Sequence, residues 1–160
     1  MKIGIGFDVH AFAADRKLVL GGLTIPYHQG LDGHSDADVV IHAIMDALLG
    51  AAGLGDIGTH FPDDDPVYKN ADSMKLLKNV HSFISRDALE VSNMDIVIMA
   101  QQPKLAPYIA EMKDSIAQAL NISNTAVNVK ATTTEKLGFV GREEGIAAQV
   151  VVLLMTKRED

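Results

Sequence analysis

Residues 35–53 limit most sharply what this chain can fold into. Val39, Ile41, Ala43, Ile44, Ala47 and Leu48 recur at helical spacing and supply apolar faces. Ser35 is a suitable N-cap, Asp38 follows three residues on as in a capping box, and Gly50 and Gly53 mark the end. A polar stripe runs through this apolar helix. Asp38 and Asp46 lie four residues to either side of His42, on the same face. Burying such groups costs several kcal/mol unless they are paired or metal-bound.

The remaining segments alternate strand and helix patterns. Residues 2–9 alternate apolar with small or polar side chains, as a strand does. Residues 17–27 read as two short strands around Gly21-Gly22, a hairpin signal. Residues 54–71 form an acidic loop rich in Gly and Pro, long enough to suggest function. A second amphipathic helix is expected over 72–87, a buried strand over 94–100 and a third helix over about 107–120. Strands over 126–132 and 145–156 flank a Gly-containing loop, 133–144. The last strand is apolar on both faces from Val150 to Met155. The expected fold is α+β: an α/β sandwich in which one sheet is backed by about three helices. No linker divides residues 1–160, so one domain is expected.

The chain has no Cys, which excludes disulfides and thiolate metal sites. A transition-metal site must then use His and carboxylate ligands. The net charge of −7 and the lack of a Lys/Arg run argue against nucleic acid as a partner. An acidic protein can still bind an anionic substrate if metal ions, helix N-termini or a few basic residues offset the charge. No apolar run approaches the ~18 residues of a membrane span. The start, MKIGIGFDVH, has no room for a signal peptide's apolar region, so a cytoplasmic protein is expected.

Asp8 and His10 sit two residues apart at the end of the first strand and face one side. With His42 they could form a His2Asp site with an open fourth position, as catalytic zinc uses. Asp46 would then orient His42. The alternative stays open: His42 as a satisfied core histidine, with Asp8 capping a turn. In residues 130–136, three threonines and backbone N–H groups could hold phosphate oxygens, Glu135 could bind Mg2+, and Arg142 suits bidentate phosphate recognition. The same residues could equally form a polar turn at a strand end. The Asp-rich loop 55–65 could hold a polyhydroxyl substrate or simply be a solvated surface loop.

Five segments occur together in order: GFDVHAF (6–12), GLDGHSDADVVIHAIMDALLGAAGLGDIG (30–58), HFPDDDP (60–66), AQQPKL (100–105) and NVKATTTEKLGFVGREEGIA (128–147). In them the chain closely resembles the 2-C-methyl-D-erythritol 2,4-cyclodiphosphate synthase family of non-mevalonate isoprenoid biosynthesis. The resemblance implies a phosphorus–oxygen lyase. Its substrate is 4-diphosphocytidyl-2-C-methyl-D-erythritol 2-phosphate, whose 2-phosphate attacks the β-phosphorus and releases CMP.

It also implies residue roles. Asp8, His10 and His42 match zinc ligands, and Glu135 matches the ligand of Mg2+ or Mn2+ on the diphosphate. His34 and Thr133 match the catalytic positions, with Ser35, Thr132 and Thr134 beside the reacting phosphates. Asp56, Ile57, Gly58, Phe61, Pro62, Asp63 and Asp65 match segments that hold the methylerythritol part. Ala100, Gln101, Pro103, Lys104, Leu105 and Ala106 match the cytidine pocket. Phe139 and Arg142 complete the set. The family's architecture is a homotrimer with a ferredoxin-like core and active sites between subunits. An axial cavity, matched here by Phe139, Arg142 and Glu144, can hold an isoprenoid diphosphate. Gln102 and Glu143 depart from the family pattern, and neither is a metal ligand.

Overall fold

Strand β1 (Lys2–Ala13) puts its two glycines where a helix must come close. Gly4 and Gly6 point to one face of the sheet, under helix α1 (Val39–Ala52). A Cβ on Gly4 would lie 2.0 Å from the Ala47 carbonyl oxygen, and one on Gly6 would lie 1.9 Å from that of Ala43. Only hydrogen fits there, so strand and helix backbones touch. Asp8 and His10 continue the same face and meet the N-terminal half of α1.

The structure is a computed structural model describing residues 1–62 and 64–157. After β1 come a short hairpin, β2 (Leu18–Leu20) and β3 (Leu23–Ile25), and the two-residue strand β4 (Gly30–Leu31). Beyond α1 lie the one-turn helix α2 (Ile57–His60), helix α3 (Ser73–Arg86) and strand β5 (Leu89–Met99). Helix α4 (Ile109–Ala119), strand β6 (Val127–Thr132), the one-turn helix α5 (Gly138–Gly141) and strand β7 (Gly145–Thr156) complete the chain. The main sheet has the order β4-β1-β7-β5-β6. Only β5 and β6 run parallel, and α4 makes their crossover.

The α+β sandwich expected from sequence is present. Helix α1 is buried nearly all round, between the sheet and α3. On the other face of the sheet, the β1 side is apolar and open, while Gln149, Asp95, Asn128 and Lys130 make the rest polar. Ile3, Ile5, Phe7 and Val9 of β1 are 74, 63, 54 and 43% exposed, and Val151 of the paired β7 is 40% exposed. Single exposed apolar residues are ordinary, but a contiguous stripe marks a surface that binds something.

Several boundaries differ from the sequence expectation. The N-cap of α1 is Asp38, not Ser35. Asp38 is extended, and its carboxylate accepts from the Val40 and Ile41 N–H groups at 3.1 Å. It also accepts from Gly21 and Gly22 at 2.9 and 2.7 Å, so it ties the hairpin turn to the helix start. Strand β5 begins at Leu89 instead of 94, because the long β7 pairs with it across an irregularity at Val91/Asn93. The 54–71 segment is not structureless, since it contains α2 and a 3-10 turn at Pro66–Tyr68.

Candidate metal centre and substrate clefts

Three donor atoms converge where β1 passes the start of α1. His10 Nε2 lies 3.0 Å from Asp8 Oδ2 and 3.0 Å from His42 Nδ1. Asp8 Oδ2 lies 3.1 Å from His42 Nδ1. The triangle is nearly equilateral. A tetrahedral cation with ~2.0–2.1 Å bonds sets its ligands about 3.3 Å apart, so a small spread admits it. Among the described residues this is the one cluster of three such groups.

The electrostatics favour a cation at this point. Burial works to raise the Asp8 carboxyl, but the hydrogen bonds and charges of His10 and His42 together hold it well below the usual carboxylate range. Burial works to lower His42. The hydrogen bond and charge of Asp8, with the charges of Asp38 and Asp36, outweigh it and leave the imidazole above its ordinary value. The cluster therefore attracts positive charge to His42 Nδ1, and either a proton or a metal ion can supply it.

The far side of His42 is equally specified. Its Nε2 lies 3.1 Å from Ser35 Oγ and 3.1 Å from Ser73 Oγ, both buried. Ser73 in turn donates to Asp36. Asp46 does not orient His42, contrary to the sequence expectation. Its Oδ1 accepts the Ile57 N–H at 2.9 Å and holds α2. Asp38 serves as cap and hairpin clamp. The helical stripe thus has three separate jobs.

The donor triangle opens into a cleft lined by Asp8, His10, His34, Ser35 and His42 on one side and Ile57, Gly58, Phe61 and Tyr68 on the other. Phe61 and Tyr68 meet edge to face at 5.4 Å. The loop carrying His34 is pinned from behind. Arg16 donates to the Gly33 and Ser35 carbonyls at 2.7 and 2.6 Å, and the Asn70 N–H donates to the His34 carbonyl at 2.7 Å. Sequence pattern did not single out Arg16, Asp36, Tyr68 or Ser73: Arg16, Tyr68 and Ser73 join the site from distant segments, and Asp36, though beside Ser35, reaches His42 only through Ser73.

Asp56 and Asp65 spend their carboxylates on local backbone, capping α2 and the 3-10 turn respectively. Pro62 lies beside the cleft residue Phe61, and Asp63 lies outside the described residues. A second cleft gathers Ala100, Gln101, Gln102, Pro103, Lys104, Leu105 and Ala106 with Thr132 and Thr133. The Gln101 side chain accepts the Lys136 N–H at 3.2 Å, which couples this loop to the 133–137 turn. Thr134 donates to the Leu137 carbonyl at 2.7 Å. Glu135 is exposed and adopts a left-handed φ of 53°. Phe139 and Arg142 line neither cleft, and Arg142 makes a two-pronged pair with Glu144 at 2.9 and 3.1 Å. The two clefts share no lining residue, so one chain does not unite His34 with Thr133 in a single cleft.

The sequence matches the YgbB family over residues 1–155. The 2-C-methyl-D-erythritol 2,4-cyclodiphosphate synthase of Geobacillus thermodenitrificans is 61% identical over 153 residues, 96% of either chain. The bifunctional IspDF from Campylobacter jejuni superimposes with a TM-score of 0.93 at 50% identity. That match covers 96% of this chain and 42% of the bifunctional one. The IspF of Plasmodium falciparum in complex with CDP superimposes with a TM-score of 0.87 at 33% identity, over 98% of this chain and 97% of that one.

Proposed function

The chain belongs to the YgbB family, and on that premise we propose that it cyclises 4-diphosphocytidyl-2-C-methyl-D-erythritol 2-phosphate to 2-C-methyl-D-erythritol 2,4-cyclodiphosphate, releasing CMP. The reaction serves non-mevalonate isoprenoid precursor synthesis, with residues 1–160 acting as one catalytic domain. The observation that carries this reading is the donor triangle of Asp8, His10 and His42 opening beside His34, in a chain 61% identical to such a synthase.

The chemistry is intramolecular, of the phosphorus–oxygen lyase class. A 2-phosphate oxygen forms a bond to the β-phosphorus. The bond from that phosphorus to the bridging oxygen breaks, and CMP leaves with the electron pair. No protein nucleophile is needed, which suits a chain without Cys. Catalysis reduces to positioning and charge stabilisation. Asp8, His10 and His42 would hold zinc, and Glu135 would hold Mg2+ or Mn2+ together with the substrate diphosphate. When bound, these cations supply charge neutralisation and orientation of the phosphates. His34 and Thr133 donate hydrogen bonds to phosphate oxygens, aided by Ser35, Thr132 and Thr134. Ile57, Gly58, Phe61 and Pro62 border the methylerythritol part. The loop 100–106 receives the cytidine.

The working unit is a homotrimer with active sites between subunits. Two observations support it: the separate clefts of one chain, and the exposed apolar stripe of Ile3, Ile5, Phe7 and Val9. Half-exposed Phe139 and the Arg142–Glu144 pair would line an axial cavity suited to an isoprenoid diphosphate. No helix among the described residues is long and apolar enough to cross a membrane, and the location proposed is the cytoplasm.

The test is to incubate the protein with the diphosphocytidyl substrate, Zn2+ and Mg2+ and to follow CMP release with product mass. Cyclic product is expected. Linear phosphate products, or none under metal-replete conditions, would refute the proposal.

A further inference from the structure

The donor triangle needs a lone pair on His42 Nδ1. A neutral imidazole has two tautomers, and only the one protonated at Nε2 leaves Nδ1 free. Asp8 Oδ2, 3.1 Å from Nδ1, favours a proton there, and two other segments oppose it from the Nε2 side. Asp36 lies in the loop before α1, and Ser73 is the first residue of α3. Asp36 Oδ2 accepts the Ser73 backbone N–H at 3.1 Å, and Asp36 Oδ1 accepts the Ser73 hydroxyl at 2.5 Å. A carboxylate only accepts, so the single hydroxyl proton of Ser73 is committed to Asp36. Ser73 Oγ can then only accept from His42 Nε2, 3.1 Å away. Ser35 Oγ, also 3.1 Å from Nε2, provides a second acceptor. Ser73 is fully buried, and no buried side-chain polar atom among the described residues lacks a partner.

We propose that Asp36, acting through Ser73, is a positioning residue that holds His42 in its Nε2–H tautomer so that Nδ1 faces the metal position. This rests on the proposed metal site and extends it outward by two residues. Ligating histidines commonly donate their second N–H to a carboxylate or carbonyl, and here a serine relays that contact.

An Asp36→Asn variant distinguishes the relay from simple packing. The amide has one acceptor oxygen, where the carboxylate gives Oδ2 to the Ser73 N–H at 3.1 Å and Oδ1 to the Ser73 hydroxyl and, at 3.3 Å, the Asp38 N–H; the variant tests the arrangement that keeps the shorter backbone contact. The amide NH2 then faces Ser73 Oγ. The hydroxyl then turns from Asp36 toward His42 Nε2 at 3.1 Å or Ser35 Oγ at 3.4 Å, and donation along the shorter contact pushes the ring proton to Nδ1. Ser73→Ala instead removes the relay but leaves Nε2–H with Ser35 Oγ.

The experiment reads the His42 tautomer by 15N chemical shifts in metal-free protein at alkaline pH, and zinc affinity by chelator competition. Wild type and Ser73→Ala are expected to show Nε2–H. Asp36→Asn is expected to shift toward Nδ1–H and to bind zinc about 10–100-fold more weakly, the usual range for such outer contacts. Cobalt-loaded Asp36→Asn is expected to show an altered visible spectrum. A wild-type ring protonated at Nδ1 overturns the proposal without any variant. So does a folded Asp36→Asn that keeps Nε2–H and binds zinc within twofold of wild type. Failure to cyclise substrate with tautomer and zinc affinity as expected would instead refute the assigned reaction and leave the relay standing.

Discussion

Gly6 lies beneath Ala43 so closely that a Cβ on the glycine would sit 1.9 Å from the alanine carbonyl oxygen. This contact sets the height of α1 above β1. It therefore fixes how far His42, the residue after Ile41 on α1, stands from Asp8 and His10. Fold and site share one constraint.

Gly6→Ala is expected to force strand and helix apart. Overpacking a rigid interior typically costs about 1–3 kcal/mol, and the obstacle here is backbone that cannot rotate away. Thermal unfolding should show a lower midpoint. Any folded fraction should bind zinc more weakly than wild type, since the triangle of 3.0–3.1 Å separations would open. Unchanged zinc affinity in a destabilised variant would separate the two effects and contradict the shared constraint.

Asp38→Ala tests the clamp between hairpin and helix. The carboxylate accepts from Gly21, Gly22, Val40 and Ile41 and is fully buried. Losing an N-cap costs about 1 kcal/mol, and stranding further buried donors costs roughly 1–3 kcal/mol more. Denaturant unfolding should show a loss of about 2–4 kcal/mol with an unchanged slope. A loss below about 0.5 kcal/mol would mean that water replaces the carboxylate without difficulty.

The core of this fold was legible because its signals are local. The apolar pattern of residues 39–48, the Gly21-Gly22 turn and the Asp8–His10 spacing each arise within a few residues. The cap of α1 was misassigned to Ser35 because both Ser35 and Asp38 are good capping residues. What decided between them was tertiary: Ser35 Oγ is engaged by His42 and Ala37, while Asp38 is drawn in by the hairpin. Asp46 misled for the same reason, since helical spacing places it beside His42 but cannot reveal that Ile57 returns to claim it. Arg16 and Ser73 had no local signature at all. Their roles exist only after segments roughly 20–40 residues apart come together, which no periodicity encodes.

Metal binding and pH are linked through His42. Its folded value is raised above the ordinary 6.5, so the protonated ring stabilises the metal-free protein fully below that value. That contribution is lost as pH rises through the raised value. Zinc must displace the same proton, so its stabilising effect should grow over that window. Melting curves with and without zinc should therefore diverge as pH rises from the ordinary 6.5 through the raised value. His42→Ala should abolish the divergence and cyclisation together. A zinc-induced shift that is independent of pH would place the metal elsewhere.

The exposed face of β1 gives the sharpest test of assembly. Ile5 is 63% exposed and sits mid-stripe, on the opposite side of the strand from Asp8 and His10. Ile5→Asp should cost little in an isolated subunit, because the side chain meets solvent there. Within an interface it would bury an unpaired charge, which is among the most damaging single changes. Sedimentation should show monomers in place of trimers. Zinc binding should survive, since the three donors come from one chain. Cyclisation should fall by orders of magnitude if, as proposed, the reaction centre joins the His34 cleft of one copy to the Thr133 cleft of another, since the two clefts of a single chain share no lining residue. A monomeric Ile5→Asp protein that cyclises substrate at the wild-type rate would show that each chain carries a whole site, and the assignment of His34 and Thr133 to one reaction centre between subunits would fall.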